Sequence, residues 1–470
     1  MKSGTDLTIL HHWDRLVQTS PDATALIDAA THRLYTRTEI DSLAKAWAAR
    51  ADVFIRSSHE ARVGFALPNG AEWLATFLGI LKVGGVAVPI DASEPLTQQR
   101  ALALGARGDF WWDGAALQPL RPRKSNSRRA RAVALVPVSP LCLIKLTSGT
   151  TGRPRPLVFH DREMIADGRA ICATMDIRPN DLNLGIIPFG HSYGLGNLLM
   201  PLLVQGTGVL CVSAPLPHAI AENCARWRPT VFPAVPALLR LLTLADVPPT
   251  SFATLRTVIS AGSMLSPEIA RGFFEKYQRR VHGFYGSSET GGITYDRSGE
   301  ATLAGRSVGT PLEGVRLYFQ PGQRFVVESG SVFTRGNRRA RIQKSDAAAT
   351  GTGRHRPADR AALNELGELC LLGRAGRMMK IAGRRIDLAE LESTVRKLPG
   401  VRDAFFTAHP QRPEELAGVI ASDLDLEAVR SLLRRDLAPW KVPKKLVALS
   451  QFPVTGRGKT DTAALRRQLG

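Results

Sequence analysis

The sequence predicts an α/β protein with a large first domain and a smaller second one. Three observations lead there. Short apolar runs alternate with helical stretches through the first two thirds of the chain, and strand–helix–strand alternation builds a parallel sheet covered by helices. Between about residues 296 and 372 the apolar runs shorten and read as antiparallel strands. The length, 470 residues, accommodates a large domain and a small one.

The elements follow in order. Residues 7–17 form an amphipathic helix, and 23–28 with 33–36 a short strand pair. A helix begins with Thr38 as its cap. Residues 62–67 are a strand, 71–82 a helix with apolar residues at helical spacing, and 86–90 the next strand. The apolar run 132–144 reads as one or two buried strands. After it come a helix over 161–175, a strand over 184–188 and a turn over 189–194 that enters another helix. Further units are a strand at 208–212, a strand at 231–232 with the helix 235–244, and a strand at 257–260. Ser266, Pro267 and Glu268 open a helix with cap and proline in the expected places. Residues 315–319, 324–328 and 369–372 are the antiparallel strands, with a basic insert around 347–354 that reads as a mobile loop.

One stretch carries chemistry on its face. Thr147, Ser148, Gly149, Thr150, Thr151 and Gly152 put four hydroxyls and two glycines into six residues after an apolar run. Glycine removes the Cβ that would keep a phosphate away, so such a loop can turn many N–H groups and hydroxyls toward one anion. Arg153 and Arg155 add positive charge. Taken alone, the loop could equally be a polar turn. It is not a Walker loop, because Gly149 and Gly152 stand too close together and no Lys follows. Residues 281–292 read as a strand end entering a Gly/Ser turn. Tyr285 there can stack on a planar base, and Glu289 can hold Mg²⁺. The loop around Gly456, Arg457, Gly458 and Lys459 reads by itself as solvated basic surface.

The stretch from Leu146 to Arg155 resembles the signature loop of the adenylate-forming acyl ligases, the family of acyl-CoA synthetases, peptide-synthetase adenylation domains and luciferases. Matches to that family run in order from roughly residue 10 to 469. Asn69, Gly79 and Pro89 stand where it often has the same residues. The resemblance implies helix-covered parallel sheets with a small antiparallel barrel-like part over residues 1–374, the AMP- and acyl-binding domain. Residues 375–470 would form a small mobile α+β catalytic lid, with Gly376 at the hinge, where the family usually has Asp or Lys. Glycine is permissive in φ and ψ, so a hinge fits.

The same resemblance implies the site. The 147–152 loop, Thr150 included as a catalytic residue, would hold the β- and γ-phosphates of ATP. Tyr285 would stack on adenine, with Gly286, Ser287 and Ser288 also at the nucleotide, and Glu289 would ligate Mg²⁺. Asp359 would hold the ribose hydroxyls, although Arg356, Pro357, Ala358 and Asp359 keep only the Asp of the family's Thr-Gly-Asp. Arg374 would contact the nucleotide near the domain junction. Lys459 would catalyse adenylation, with Gly456 and Arg457 replacing the commoner Pro and Asn. His191 matches the position where acyl ligases place a His beside the acid, and Gly262 and Ser263 would form the pocket floor. Lys380 and Gly383 would line a thiol channel. Amino-acid-activating members usually carry an Asp at the 189–194 turn. This chain has none there, so an acid without an α-amino group, fatty or aryl, is expected. The implied reaction is ATP-dependent formation of an acyl-adenylate with release of pyrophosphate, then transfer to a thiol. That thiol would be coenzyme A foremost; the alternatives are the phosphopantetheine of an acyl or aryl carrier protein, or a nucleotide- and acyl-binding protein that has lost catalysis.

Composition bounds the partners. A formal charge of +20 is concentrated in residues 114–134 and 335–360, which together supply +12 of it. This suits either an acidic carrier protein, the phosphates of coenzyme A, or plain solvated loops. Nucleic acid is not expected, since the basic runs lack interleaved aromatics and no zinc-finger or RNP spacing occurs. No apolar stretch reaches the length of a membrane span. The first residues have too short an apolar segment for a signal peptide. Five scattered cysteines suit reduced thiols in a cytoplasm.

Overall fold

The computed structural model describes residues 8–55, 60–121, 141–147, 155–333, 353–374, 378–381, 384–412, 415–437, 439–455 and 459–470. The loop residues 148–152, Gly376, Gly383, the basic insert before residue 353 and most of the apolar run 132–144 lie outside the described residues. Of Thr147, Arg374 and Lys380 only the backbone is described.

Two sheets organise the first part of the chain. The larger has nine strands. Its centre is parallel: Thr24–Asp28, Gly208–Cys211, Leu182–Gly185, Val231–Ala234, Thr257–Ser260 and Val281–Ser287 run in the same direction. Antiparallel partners close its edges, Arg33–Thr36 on one side and Gly291–Tyr295 with Thr310–Pro311 on the other. The second sheet has six strands. Phe110–Trp112, Arg62–Phe65, Val86–Pro89 and Leu141–Thr147 are parallel, while Arg155–His160 returns antiparallel beside Leu141–Thr147. Small antiparallel sheets follow, Arg316–Gln320 with Arg324–Ser329 and Gly353–His355, then Asp359–Leu363 with Leu369–Arg374.

The helices bury apolar faces against these sheets. Ala71–Lys82 is the most deeply set; Trp73 and Phe77 are about 1% exposed, and Trp73 lies 5.4 Å from both Phe65 and Phe189. This aromatic box anchors the start of the 189–194 turn. Gly79 faces Trp47 so closely that a Cβ would stand 2.7 Å from the indole, so glycine there sets the approach of Ala71–Lys82 to Arg37–Ile55. That second helix starts earlier than its sequence suggested. Thr36 and Glu39 exchange side-chain bonds with each other's N–H groups at 3.1 and 2.7 Å, a reciprocal cap two residues before the expected one at Thr38.

A last group of elements packs on itself. Met378–Ile381 pairs with Arg384–Asp387, and Val401–Ala408, Leu416–Ser422 and Lys445–Leu449 form a three-stranded sheet. Their core, Val395, Phe406, Ile420, Val429 and Leu433 among others, draws only on residues after 378. Asp387 caps the helix Leu388–Val395 through the Ala389 N–H at 2.9 Å.

Candidate active site

Among the described residues, those predicted for the acid side, with Ser288 and Glu289, follow the C-terminal ends of strands, where ligands bind in open α/β sheets. Tyr285, Gly286 and Ser287 are the last residues of a strand, and Asp359 opens one. Thr147 ends one strand, and the 189–194 turn, Gly262 and the hairpin tip at Ser288 and Glu289 follow three others.

The acid turn is braced from outside. The strand predicted over 184–188 stops at Gly185. Asn69 explains the early exit: its Nδ2 donates to the Ile187 and Gly185 carbonyls at 2.8 and 3.3 Å, and its Oδ1 accepts the Phe189 N–H at 2.7 Å. A side chain satisfies the backbone that a neighbouring strand would otherwise hold. Beyond it His191 Nε2 meets Asp91 Oδ2 at 2.6 Å. Asp91 is 8% exposed, and its Oδ1 accepts the N–H and hydroxyl of Ser93 at 2.9 and 2.8 Å. Burial alone would raise the Asp91 pKa; the His191 contact and the Ser93 bonds outweigh it and hold the carboxyl well below the usual range. Tyr193 donates to the Ala234 and Ile259 carbonyls, 3.2 Å each, tying the turn to two sheet strands. Leu195–Leu199 then forms a π-helical turn, an arrangement frequent at functional sites.

The nucleotide turn is built as tightly. Val281–Ser287 and Gly291–Tyr295 form a hairpin whose tip carries Ser288 and half-buried Glu289. The Glu289 N–H donates to Ser287 Oγ at 3.3 Å, and its carbonyl accepts the Phe333 N–H at 3.0 Å. Gly291 has φ +69°, and a Cβ there would stand 2.2 Å from Asp167 Oδ1. That oxygen accepts the Gly292 N–H at 2.9 Å, so a buried carboxyl from the helix Asp161–Met175 locks the turn. Burial pushes Asp167 up, against the nearby Lys145 charge. Lys145 is 3% exposed, with Nζ 4.1 Å above the Phe159 ring; burial pulls it down, against Asp167, Cys142, Glu163 and Glu289.

Acid turn and nucleotide turn meet directly: Ser192 Oγ donates to Ser288 Oγ at 3.0 Å. On the far side of the hairpin Tyr285 OH donates to Asp359 Oδ2 at 2.8 Å, and the Arg374 backbone pairs with Asp359 across two strands. Two groups assigned to adenine and ribose are therefore adjacent. Gly262, at φ +89°, is exposed beside Val235, with Ser263 exposed next to it. Lys459 stands in the C-terminal group of elements. It is exposed on a loop closed by its carbonyl accepting the Thr455 N–H at 2.7 Å and its N–H donating to Thr455 Oγ1 at 3.3 Å.

Sequence reasoning missed Asp91, Asp167 and Lys145. Asp91 had a signal, as the first polar residue past the strand at 86–90. Asp167 and Lys145 had none, since a helix interior and a buried strand are where charges are least expected.

The arrangement can seat a planar base beside Tyr285 and a ribose at Asp359, with a carboxylic acid at His191, the two regions joined through Ser192 and Ser288. A divalent cation would find one carboxylate at Glu289. Among the described residues no group of three or more His, Cys, Asp or Glu could hold a metal. One carboxylate suits Mg²⁺, which binds through one or two carboxylates plus substrate phosphates.

Comparison with known proteins gives the family and the fold. The model of the family described as "AMP-binding enzyme" matches residues 13–106 and 108–340. A dimodular nonribosomal peptide synthase of Bacillus subtilis is 24% identical over 86% of this chain, which spans 18% of that protein's length. An L-proline–(L-prolyl-carrier protein) ligase of Streptomyces coelicolor is 25% identical, over 85% of this chain and 86% of its own. Benzoate–CoA ligase of Thauera aromatica is 27% identical, over 69% of this chain and 65% of its own. The crystal structure of ATP-bound MatB from Rhodopseudomonas palustris superposes with a TM-score of 0.77 at 21% identity, covering 97% of this chain and 98% of that one, which establishes the fold.

Proposed function

Since this chain belongs to the AMP-binding enzymes, the adenylate-forming acid ligases, we propose that it activates a fatty or aryl acid lacking an α-amino group and passes the acyl group to coenzyme A. The observation that carries the reading is the Ser192–Ser288 hydrogen bond, which sets the acid turn against the nucleotide turn. A carboxylate oxygen attacks the α-phosphorus of ATP, the bond to the β-phosphate oxygen breaks, and pyrophosphate leaves. A thiol then attacks the acyl carbon, and AMP departs. The first transition state adds charge at an anionic centre, so aimed donors and cations matter more than a covalent nucleophile.

The chain's own residues divide that work. Thr147, Ser148, Gly149, Thr150, Thr151 and Gly152 hold the phosphates. Tyr285, Gly286, Ser287, Ser288, Asp359 and Arg374 seat the nucleoside. Glu289 is the Mg²⁺ ligand, and the ion bound there with ATP would neutralise phosphate charge. His191, Gly262 and Ser263 meet the acid, and Lys459 approaches the reacting carboxylate and α-phosphate. Residues 375–470 act as a lid that turns at Gly376 and brings Lys380 and Gly383 to the thiol. A carrier protein is the second reading of the acceptor, favoured by the +20 charge and by the carrier-protein ligase among the relatives. A cytoplasmic setting fits five scattered cysteines, and no helix of the described residues is long and apolar enough to cross a membrane.

The test is ATP–pyrophosphate exchange over a panel of aryl, straight-chain and amino acids. Exchange with aryl or fatty acids supports the reading, and coenzyme A and acidic carrier proteins are then compared as acceptors. Exchange with amino acids alone overturns the substrate class. No exchange despite ATP binding points to a binding protein that has lost catalysis.

A further inference from the structure

We propose that Asp91 is the positioning residue for His191: it accepts a hydrogen bond from the Nε2–H and so presents Nδ1 to the carboxylate of the acid. The proposal rests on the assignment of His191 to the acid side.

Asp91 follows the strand Val86–Pro89 of the six-stranded sheet, and His191 follows Leu182–Gly185 of the nine-stranded sheet. The pair therefore bridges the two sheets at the ends where their loops gather. The Nε2–Oδ2 distance of 2.6 Å is that of a charge-assisted bond. The carboxylate cannot swing away, because Ser93 holds its other oxygen through both N–H and hydroxyl. Its ionised form is the favoured one, and an ionised carboxylate only accepts. Nε2 must then carry the proton, and the remaining polar atom of the ring is Nδ1.

The histidine backbone is equally fixed. Its N–H donates to the Pro188 carbonyl at 3.1 Å, and its carbonyl accepts the Leu195 N–H at 2.8 Å. When Nδ1 also bears a proton, the ring can donate to one oxygen of the substrate carboxylate while Asp91 balances its charge. Both oxygens of Asp91 are engaged. An ammonium group on the substrate thus meets no uncommitted carboxylate there, which agrees with an acid lacking an α-amino group.

The dyad has two readouts. One is the ring-nitrogen NMR of the full chain labelled at histidine, with the His191 signal assigned by its loss in His191→Gln. The expected wild-type signal carries a proton on Nε2, and Asp91→Ala shifts it toward the Nδ1–H form. The other is kinetic. Asp91→Ala is expected to raise the KM for the acid roughly tenfold or more, with the KM for ATP little changed. The shape-preserving Asp91→Asn should fall between it and wild type, and thermal melts report whether each variant is folded. In a His191→Ala background Asp91→Ala should add nothing. A wild-type His191 protonated on Nδ1 alone, or additive effects of the two substitutions, overturns the dyad while leaving the ligase reading intact. If no acid supports exchange, the ligase reading falls, and the NMR signature decides the dyad by itself.

Discussion

His191 and Lys459 are mounted in opposite ways. The turn bearing His191 is held by Asn69, Asp91, Tyr193 and Ser192, whose partners lie on other elements 41 to 120 residues away in the chain. The loop bearing Lys459 is closed by Thr455, four residues away, and its side chain is exposed. On the proposed reading, the braced region would pre-form a shape for substrates and so lower the reorganisation needed when charge develops. Lys459 itself is exposed, and exposed side chains contribute little to stability. Substitution should therefore separate the two: loss of activity without loss of stability at Lys459, and loss of both where the braces are cut.

The largest effect is expected at Lys459. Lys459→Ala should lower pyrophosphate exchange by about 10²–10³-fold, the scale of removing one aimed donor from a polar transition state. Its unfolding free energy should stay within about 0.5 kcal/mol of wild type, as for exposed positions. A parallel fall in stability would erase the contrast.

Gly291→Ala should strike the braced region in both respects. A side chain at φ +69° is strained, and its Cβ would meet Asp167 at 2.2 Å. Backbone strain and the clash together should cost roughly 3 kcal/mol or more. Exchange should fall with it, because Glu289 stands two residues earlier on the same hairpin tip. Urea unfolding and exchange on the same preparation check it; an unstrained, fully active variant would mean that Asp167 does not hold the turn.

Bracing by buried charge also carries a pH cost. Asp161 opens the helix that supplies Asp167, is 4% exposed, and has a buried Oδ1 with no hydrogen-bond partner. Burial raises its pKa from 3.8 to about 6, despite the Ile9 N–H and Cys142. The folded state thus binds this proton more tightly than the unfolded state. The associated stability is fully present below about pH 3.8 and is lost as pH rises through about 6. Asp161→Asn should then gain up to about 3 kcal/mol at pH 7.5 and nothing near pH 3.5. Unfolding curves at the two pH values decide it, and an equal effect at both would show that the carboxyl is not strained by ionisation.

Much of the fold was legible because its period is local. Helix 161–175 and strand 257–260 fall where apolar spacing put them. Tyr285 and Asp359 were named from two separate motifs, the second of which keeps only its Asp, and the fold sets them 2.8 Å apart, hydroxyl to carboxylate. The braces were not legible. Asn69 ends the strand at Gly185 from 116 residues away, and no local pattern in 184–188 records that. Asp91 and His191 are 100 residues apart, so the absence of an Asp from the 189–194 turn did not mean its absence from the space around it. Side-chain contacts between sheets depend on packing that a periodicity cannot carry.

The smallest effect tests the exposed side of the contrast. Thr455 Oγ1 accepts the Lys459 N–H at 3.3 Å, a long bond on an exposed loop, while the backbone bond from the Thr455 N–H to the Lys459 carbonyl at 2.7 Å and the Val454–Thr460 bridge survive any side-chain change. Thr455→Ala should therefore lower stability by no more than about 0.5–1 kcal/mol, the worth of one solvent-exposed hydrogen bond. Adenylation should slow by only a few-fold, since each factor of ten in rate needs about 1.4 kcal/mol at the transition state. A loss approaching that of Lys459→Ala would mean that the loop is as finely set as the acid turn. In that case the lysine would depend on bracing as His191 does, and the two regions would differ in exposure alone.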